Sequence, residues 1–217
     1  MGKTRKSSKD AKHDILVAAQ QLFKIHGYSN TTLQMIADEL GIAQGTLGHH
    51  FSNKHKIAVA LISSYISRLF KHVGENMPPG CNAYQFNLVV GFAFWRELMK
   101  SESFRDLYFH KNLVEIWETD YMEQYEKKYR DIAREFKKEY SEEDLHMASV
   151  IEEGAIPRIY REYVSSGGAM TVDRFCYYQG YLTGALASLD EATIKKNLQR
   201  AFEILNDMPP FESFSIE

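Results

Sequence analysis

Cysteine is scarce: Cys81 and Cys176 are the two in 217 residues, and they stand far apart in unlike surroundings. That excludes a disulfide framework and a clustered thiolate metal site, and reduced thiols in a cytoplasmic chain are expected. No apolar run approaches the length of about 18 residues that a membrane span needs. Polar residues follow Met1, Gly2 and Lys3 with no apolar signal-peptide segment, and Lys6 breaks the myristoylation pattern. Also missing are a Gly-rich phosphate loop, a nucleophile elbow and a zinc-type His pair. Glu143 and His146 have the E-x-x-H spacing of di-iron bundles, but no other His has Glu three residues before it. No cofactor and no metal are therefore expected, and an all-α enzyme is only a remote alternative. Finally, no run of Val, Ile and Thr is bounded by hairpin turns, which leaves little room for a sheet.

What is present is helical periodicity almost everywhere, in a chain that is 44% hydrophobic and 25% charged. The fold class expected is all-α. The net charge of -3 hides an asymmetry. Residues 1–70 hold nine Lys or Arg against four Asp or Glu, or +5, and the remainder holds 17 against 25, or -8. The basic start, Lys3, Arg5, Lys6, Lys9 and Lys12, suits an arm near a polyanion, or equally a solvated tail. A first helix is predicted from about Asp10 to His26, with Ile15, Leu16, Ala19, Leu22 and Phe23 on one face and Gly27 as its cap. A longer helix from about Asn53 to Asn76 stops at Pro78, Pro79 and Gly80, the clearest boundary candidate. Beyond it, helices are predicted near 83–100, 103–117, 118–140, 142–165, 171–188 and 190–207.

Residues 31–51 read TTLQMIADELGIAQGTLGHHF. Thr31 followed three positions later by Gln34 predicts a capping box and a helix start. Leu33, Ile36, Ala37 and Leu40 then recur at i, i+3, i+4 and i+7, one buried stripe over two turns. Gly41 falls where the chain must stop and reverse, Ile42 plugs the turn, and a second short helix carries Leu47 inward. Ala37 is small enough for two helices to cross closely. This is the helix-turn-helix pattern. It places Gln44, Thr46, Gly48 and His49 outward, where short polar side chains reach base edges in a major groove. Adjacent residues on a helix point about 100° apart, so His49 and His50 do not form a metal site.

With these residues and their flanks, ILVAAQQLF, HGYSNTTLQMIADELGI and QGTLGHHFSNKHKIAVAL, the stretch from Asp14 to Leu61 resembles the DNA-binding domain of the tetracycline-repressor (TetR) family. The resemblance implies a domain of residues 1–52, comprising arm and helix-turn-helix, joined by a fourth helix at about 53–77 to a larger helical ligand-binding and dimerisation domain at 78–217. It implies that Thr32, His50 and Lys54 touch phosphates, and that Gln34, Gln44, Gly45, Thr46 and His49 approach bases. Two departures stand out. The family commonly has a phosphate-bonding Tyr where this chain has Gly48, leaving His49 or His50 to take over the contact. Ala43 stands where Ser often caps the recognition helix. The function implied is a bacterial repressor, a homodimer on palindromic double-stranded DNA, released by a small-molecule effector. A dimeric regulator without a ligand, or an activator, is the alternative.

The C-terminal part is less specific. Its aromatic residues either line a pocket or pack a helical core; the candidate ligand set is Phe92, Trp95, Tyr108, His110, Trp117, Tyr121 and Tyr160. In YYQGYLTGALASL, Gly180 and Gly184 lie one turn apart with Tyr177 and Ala187 on nearly the same face. Small residues at that spacing allow close helix approach, at a dimer interface completed by Ala192 to Leu205 or inside one subunit. A dimer would set two recognition helices roughly 34–36 Å apart, matching successive major grooves.

Overall fold

The computed structural model describes residues 8–110, 122–211 and 214, and among these every regular element is an α-helix. They are α1 (Ser8–His26), α2 (Leu33–Glu39), α3 (Gln44–His50), α4 (Lys54–Asn76), α5 (Ala83–Lys100), α6 (Glu102–Tyr108), α7 (Met122–Glu135), α8 (Glu142–Ser165), α9 (Val172–Leu186) and α10 (Glu191–Asp207). Trp117 and Tyr121, with the end of the helix expected near 103–117 and the start of the one near 118–140, lie outside the described residues.

These helices form two compact units, divided otherwise than the linear cut at Pro78–Gly80 suggests. The first holds α1 to α3, α4 as far as Ser67, α6 and Phe214. The second holds α4 from Arg68, α5 and α7 to α10. The Pro-Pro-Gly segment stops α4 because proline cannot continue a helix, yet the chain on either side of it belongs to one unit.

The head unit is built on α1, where Ile15, Ala19, Leu22 and Phe23 are buried as expected, with Ala18 added and Leu16 only half-buried, at the spacing that keeps side chains on one helix face. Ile36, Ala37, Leu47, Phe51, Ile57, Ala58, Leu61 and Ile62 are buried in the same unit, and α1 packs on α2. α6 adds Phe104, whose ring lies edge-on to Tyr65 at 5.5 Å and stacks on Phe214 at 3.9 Å. Gln20 donates to the Phe214 carbonyl at 2.8 Å.

In the second unit α5 is the central helix, burying Tyr84, Leu88, Val89, Phe92, Trp95 and Leu98 against α9 and α10. α8 packs on α7 and α9. It opens with a capping box in which Ser141 accepts from the Asp144 N–H and Asp144 accepts from the Ser141 N–H, so two otherwise orphaned donors are satisfied. The helix expected to run to 140 ends at Glu135, where Lys137 takes φ 53° and the Lys138 N–H reaches back to the Ala133 carbonyl.

Candidate nucleic-acid interface

The capping residue of α2 is Thr32, not Thr31. Thr32 is extended at φ -115°, and its hydroxyl accepts from the Met35 N–H at 3.1 Å. Thr31 is buried and donates to the Leu22 and Gly27 carbonyls, so the expected box with Gln34 does not form. Gln34 is exposed and donates to Asp38 at 2.6 Å. α2 buries Ile36 and Ala37 fully and Leu33 and Leu40 partly. It ends where Gly41 takes φ 62°, and the Ile42 N–H closes on the Ala37 carbonyl at 3.0 Å, a reversal that a Cβ would strain.

α3 follows with one buried side chain, Leu47, anchoring it. Gln44, Gly45, Thr46, Gly48 and His49 are all exposed and His50 is half-buried. Ala43 sits at the N-cap in extended geometry with no side-chain cap bond, as its methyl requires. Nothing lies within 4 Å of where a Cβ would stand on Gly48.

Lys54, expected at a phosphate, makes hydrogen bonds within the head. Its Nζ donates to the carbonyls of Tyr28 (2.6 Å), Thr31 (2.7 Å) and Ser29 (3.3 Å) and lies 4.4 Å from the centre of the Tyr28 ring. An ammonium has three protons, and all three are committed to closing the α1–α2 turn. Desolvation lowers its pKa, an effect opposed by Asp106. The cap of α4 is Asn53, whose Oδ1 accepts from the Lys56 N–H. Around Tyr28 the head unit is tightly tied. Its hydroxyl pairs with His55 Nδ1 at 2.5 Å, its N–H donates to Asp106 Oδ2, and its ring meets Phe23 and His110 edge-on. Burial pushes the Tyr28 phenol up to about 12.

The candidate ligand residues are split between units. Tyr108 and His110 belong to the head, where His110 packs on Tyr28 at 4.7 Å. Phe92, Trp95 and Tyr160 belong to the second unit. There Phe92 stacks on Phe202, and Trp95 connects through Phe175 and Tyr163 to Tyr160 in a run of ring contacts. Within the head α6 packs with α1, and Trp117 and Tyr121 lie outside the described residues.

The two glycines of the expected dimer face meet helices of their own chain. A Cβ on Gly180 would stand 2.6 Å from Leu88 and 2.7 Å from Leu198, and one on Gly184 would stand 2.5 Å from the Tyr84 hydroxyl and 2.7 Å from Ile194. Both glycines, with the buried Ala187, admit α5 and α10 of the same subunit. Tyr177 is half-buried beside Tyr178 and Tyr181.

One feature escaped the sequence. Glu152 on α8 is wholly buried, its carboxylate ion-paired with Lys128 and accepting from Tyr129 (2.5 Å), Thr183 (2.7 Å) and Gln179 (2.8 Å). Burial alone would raise the Glu152 pKa. The Lys128 ammonium, with hydrogen bonds from Lys128, Tyr129 and Thr183, brings it below the usual carboxylate range. Burial lowers the Lys128 pKa in turn. The signal was present: Leu145, Ala148, Ser149, Glu152 and Ile156 share one buried face of α8, and a Glu on such a face needs partners. His146, the other half of the E-x-x-H spacing, pairs with Glu126 at 2.9 Å.

A helix-turn-helix head and a second, all-helical unit define the class of fold. Residues 15–61 match the family described as bacterial regulatory proteins, tetR family. The transcriptional repressor AcnR of Corynebacterium efficiens is 31% identical over 67 residues, covering 31% of this chain and 36% of AcnR. The transcriptional regulator TtgR of Pseudomonas putida is 29% identical over 85 residues, covering 36% of this chain and 40% of TtgR. The chain thus matches little more than a third of these relatives' length. Over nearly the whole chain the fold resembles that of RolR in complex with resorcinol, with a TM-score of 0.67 at 10% identity, covering 94% of this chain and 97% of RolR. It also resembles SmeT, the repressor of a Stenotrophomonas maltophilia multidrug efflux pump, with a TM-score of 0.56 at 19% identity, covering 83% of this chain and 91% of SmeT. Among the described residues no helix is long and apolar enough to cross a membrane.

Proposed function

We propose that the chain is a sequence-specific transcriptional regulator of the cytoplasm, which represses by binding a palindromic duplex as a homodimer and lets go when a small molecule occupies the second unit. The observation that carries this reading is α3. It spends Leu47 on the core and turns Gln44, Gly45, Thr46, Gly48 and His49 to the surface, a row of short polar groups sized for a major groove. Gln34 approaches bases from α2, and Thr32 and His50 take phosphates. Lys54 acts by fixing the α1–α2 turn on which α2 stands.

The effector part of the proposal draws on the titles of like-folded structures, RolR with resorcinol and SmeT with triclosan. For the dimer, the surface that fits a second copy is on α8, where Met147, Val150 and Ile151 are 46%, 39% and 47% exposed at one-turn spacing. Selection of duplexes from a randomised pool, followed by anisotropy titration at several salt concentrations, tests the whole reading. A two-fold symmetric site and an affinity that falls steeply with salt are expected. Gln44→Ala and Thr46→Ala should relax preference at particular bases, and Ile151→Lys should yield monomers that bind the site far more weakly. Loss of neither preference nor dimer would refute it.

A further inference from the structure

Phe214 lies beyond α10 of the second unit in sequence, yet it belongs to the head. There its contacts come from three helices. Its ring stacks on Phe104 of α6 at 3.9 Å with 10° between the planes, and stands edge-on to Tyr65 of α4 at 5.4 Å. Its carbonyl accepts from Gln20 of α1 at 2.8 Å. Tyr65 and Phe104 also meet each other, edge-on at 5.5 Å. Three rings in mutual contact and a hydrogen bond to the backbone fix Phe214 in one register. The segment is also held before it reaches the head. His72 Nε2 donates to the Pro209 carbonyl at 3.0 Å, and the ring of Phe211 lies 5.1 Å from that of His72. Pro209 and Pro210 restrict the backbone here, so less freedom is lost when Phe214 docks.

What Phe214 seals is α6. At seven residues α6 is too short to persist as an isolated helix, and its place rests on burying Phe104 and Leu107. Phe104 is wholly buried, and the stacked ring of Phe214 covers one of its faces. α6 in turn braces the turn between α1 and α2. Asp106 Oδ2 accepts from the Tyr28 N–H at 3.2 Å, and His110, just past α6, meets the Tyr28 ring edge-on at 4.7 Å. A Cβ on Gly27 would stand 3.5 Å from Asp106 Oδ2, so the two segments touch along that turn. α2 packs on α1 and carries α3.

We infer that Phe214, brought back from beyond α10 to cover Phe104, is a positioning residue for duplex binding: it keeps α6 against the turn on which α2 and α3 stand. The inference rests on the reading of the head as DNA-binding and adds to it a part supplied from the far end of the sequence. Phe214 touches no base or phosphate in this role. It sets the fraction of heads whose α2 and α3 are braced for a groove.

The test compares Phe214→Ala and Phe214→Tyr with the unaltered full chain, by amide hydrogen exchange without DNA and by anisotropy titration of a selected duplex. In Phe214→Ala, exchange at Tyr28 and along α6 should quicken roughly ten-fold while α9 is unchanged. Duplex affinity should fall by about the same factor, because only braced heads bind. Base preference and salt slope should stay as they are, since the contacts to DNA are the same once the head is closed. Phe214→Tyr keeps the stacking ring and should restore both readouts. Gln20→Ala removes the hydrogen bond to the Phe214 carbonyl and spares the three rings. It should show the same pattern at smaller size, and it decides the matter where Phe214→Ala folds poorly. Unchanged exchange along α6, faster exchange with unchanged affinity, an altered base preference, or a Phe214→Tyr chain no better than Phe214→Ala overturns the inference. Absence of any duplex affinity in the unaltered chain would instead sink the reading on which the inference rests, with exchange still reporting whether Phe214 braces α6.

Discussion

The two units treat polar side chains in opposite ways. In the head, α3 buries one leucine and shows its polar groups to solvent, and the half-buried cation Lys54 is spent on backbone carbonyls. In the second unit a carboxylate, an ammonium, a phenol, an amide and a hydroxyl are gathered in the interior. An exposed row of short polar groups suits a large, hydrated, charged partner, for which desolvation is shallow. A buried polar group in an aromatic setting suits a small partner that must shed its water and be chosen atom by atom. If the proposed function holds, recognition of two kinds of molecule by one chain maps onto two ways of managing polarity.

The comparison is broken most severely at Glu152. Glu152→Gln leaves the Lys128 ammonium buried without its counter-charge, and chemical denaturation of the full chain should show a loss of about 3–5 kcal/mol. The paired replacement Lys128→Met with Glu152→Leu should recover most of it, because it removes both charges at once. The pH dependence has a definite sign. The Glu152 carboxyl sits below its ordinary 4.5 in the folded state, so its contribution is complete above that value and withdrawn as pH falls through the lowered folded value. Glu152→Gln should therefore flatten stability against pH in that acid window. An unaltered slope would show that Glu152 is not held ionised by Lys128.

Next in size is Lys54. Lys54→Met removes a cation from three carbonyl acceptors, and hydrogen bonds to charged groups contribute about 1.5–3 kcal/mol. Unfolding should report that loss, while the salt slope of DNA binding should stay where it was. A slope reduced by about one unit would instead mean that Lys54 leaves the turn for a phosphate on binding.

That contrast also marks what the sequence could reveal. The helix-turn-helix was legible because its determinants, Leu33, Ile36, Ala37, Gly41 and Leu47, act within a few residues of one another, so spacing alone carries them. Where the head depends on distant chain, reading failed. Thr31 and Thr32 look alike as caps, and the choice falls to carbonyls at Leu22 and Gly27 that take the Thr31 hydroxyl. That α6 packs on α1 is likewise a long-range contact that the spacing of its aromatic residues does not announce. In the second unit the helices were legible and their partners were not. Gly180 and Gly184 announce close approach, but only the fold says that Leu88, Leu198, Tyr84 and Ile194 fill the space.

The glycine pair sharpens the comparison further. Gly184→Ala drives a Cβ onto the Tyr84 hydroxyl, part of a rigid ring bonded to the Gly180 carbonyl at 2.7 Å, and overpacking of this kind costs about 1–3 kcal/mol. Gly180→Ala meets mainly the methyl ends of Leu88 and Leu198, which can yield, so its cost should be smaller. If the chain is the proposed dimer, both variants should keep that state on light scattering. A monomer would return these glycines to the interface between subunits.

The smallest effect is expected at Gly48, and it has the opposite sign. Gly48 is exposed within α3 at an ordinary helical backbone, and nothing surrounds the position of its missing Cβ. Replacing a helix-interior glycine with alanine there should stabilise the head by about 0.5–1 kcal/mol, through lost freedom of the unfolded chain. α3 is short, starts on an uncapped Ala43 and is anchored by Leu47 alone, so some of its order has to be supplied when a duplex is bound. Gly48→Ala should shift that ordering to the free protein and tighten binding to all duplexes by up to about five-fold, leaving base preference unchanged. If unfolding shows the gain but binding does not move, α3 is already ordered in the free protein and its glycine serves clearance at the phosphate backbone.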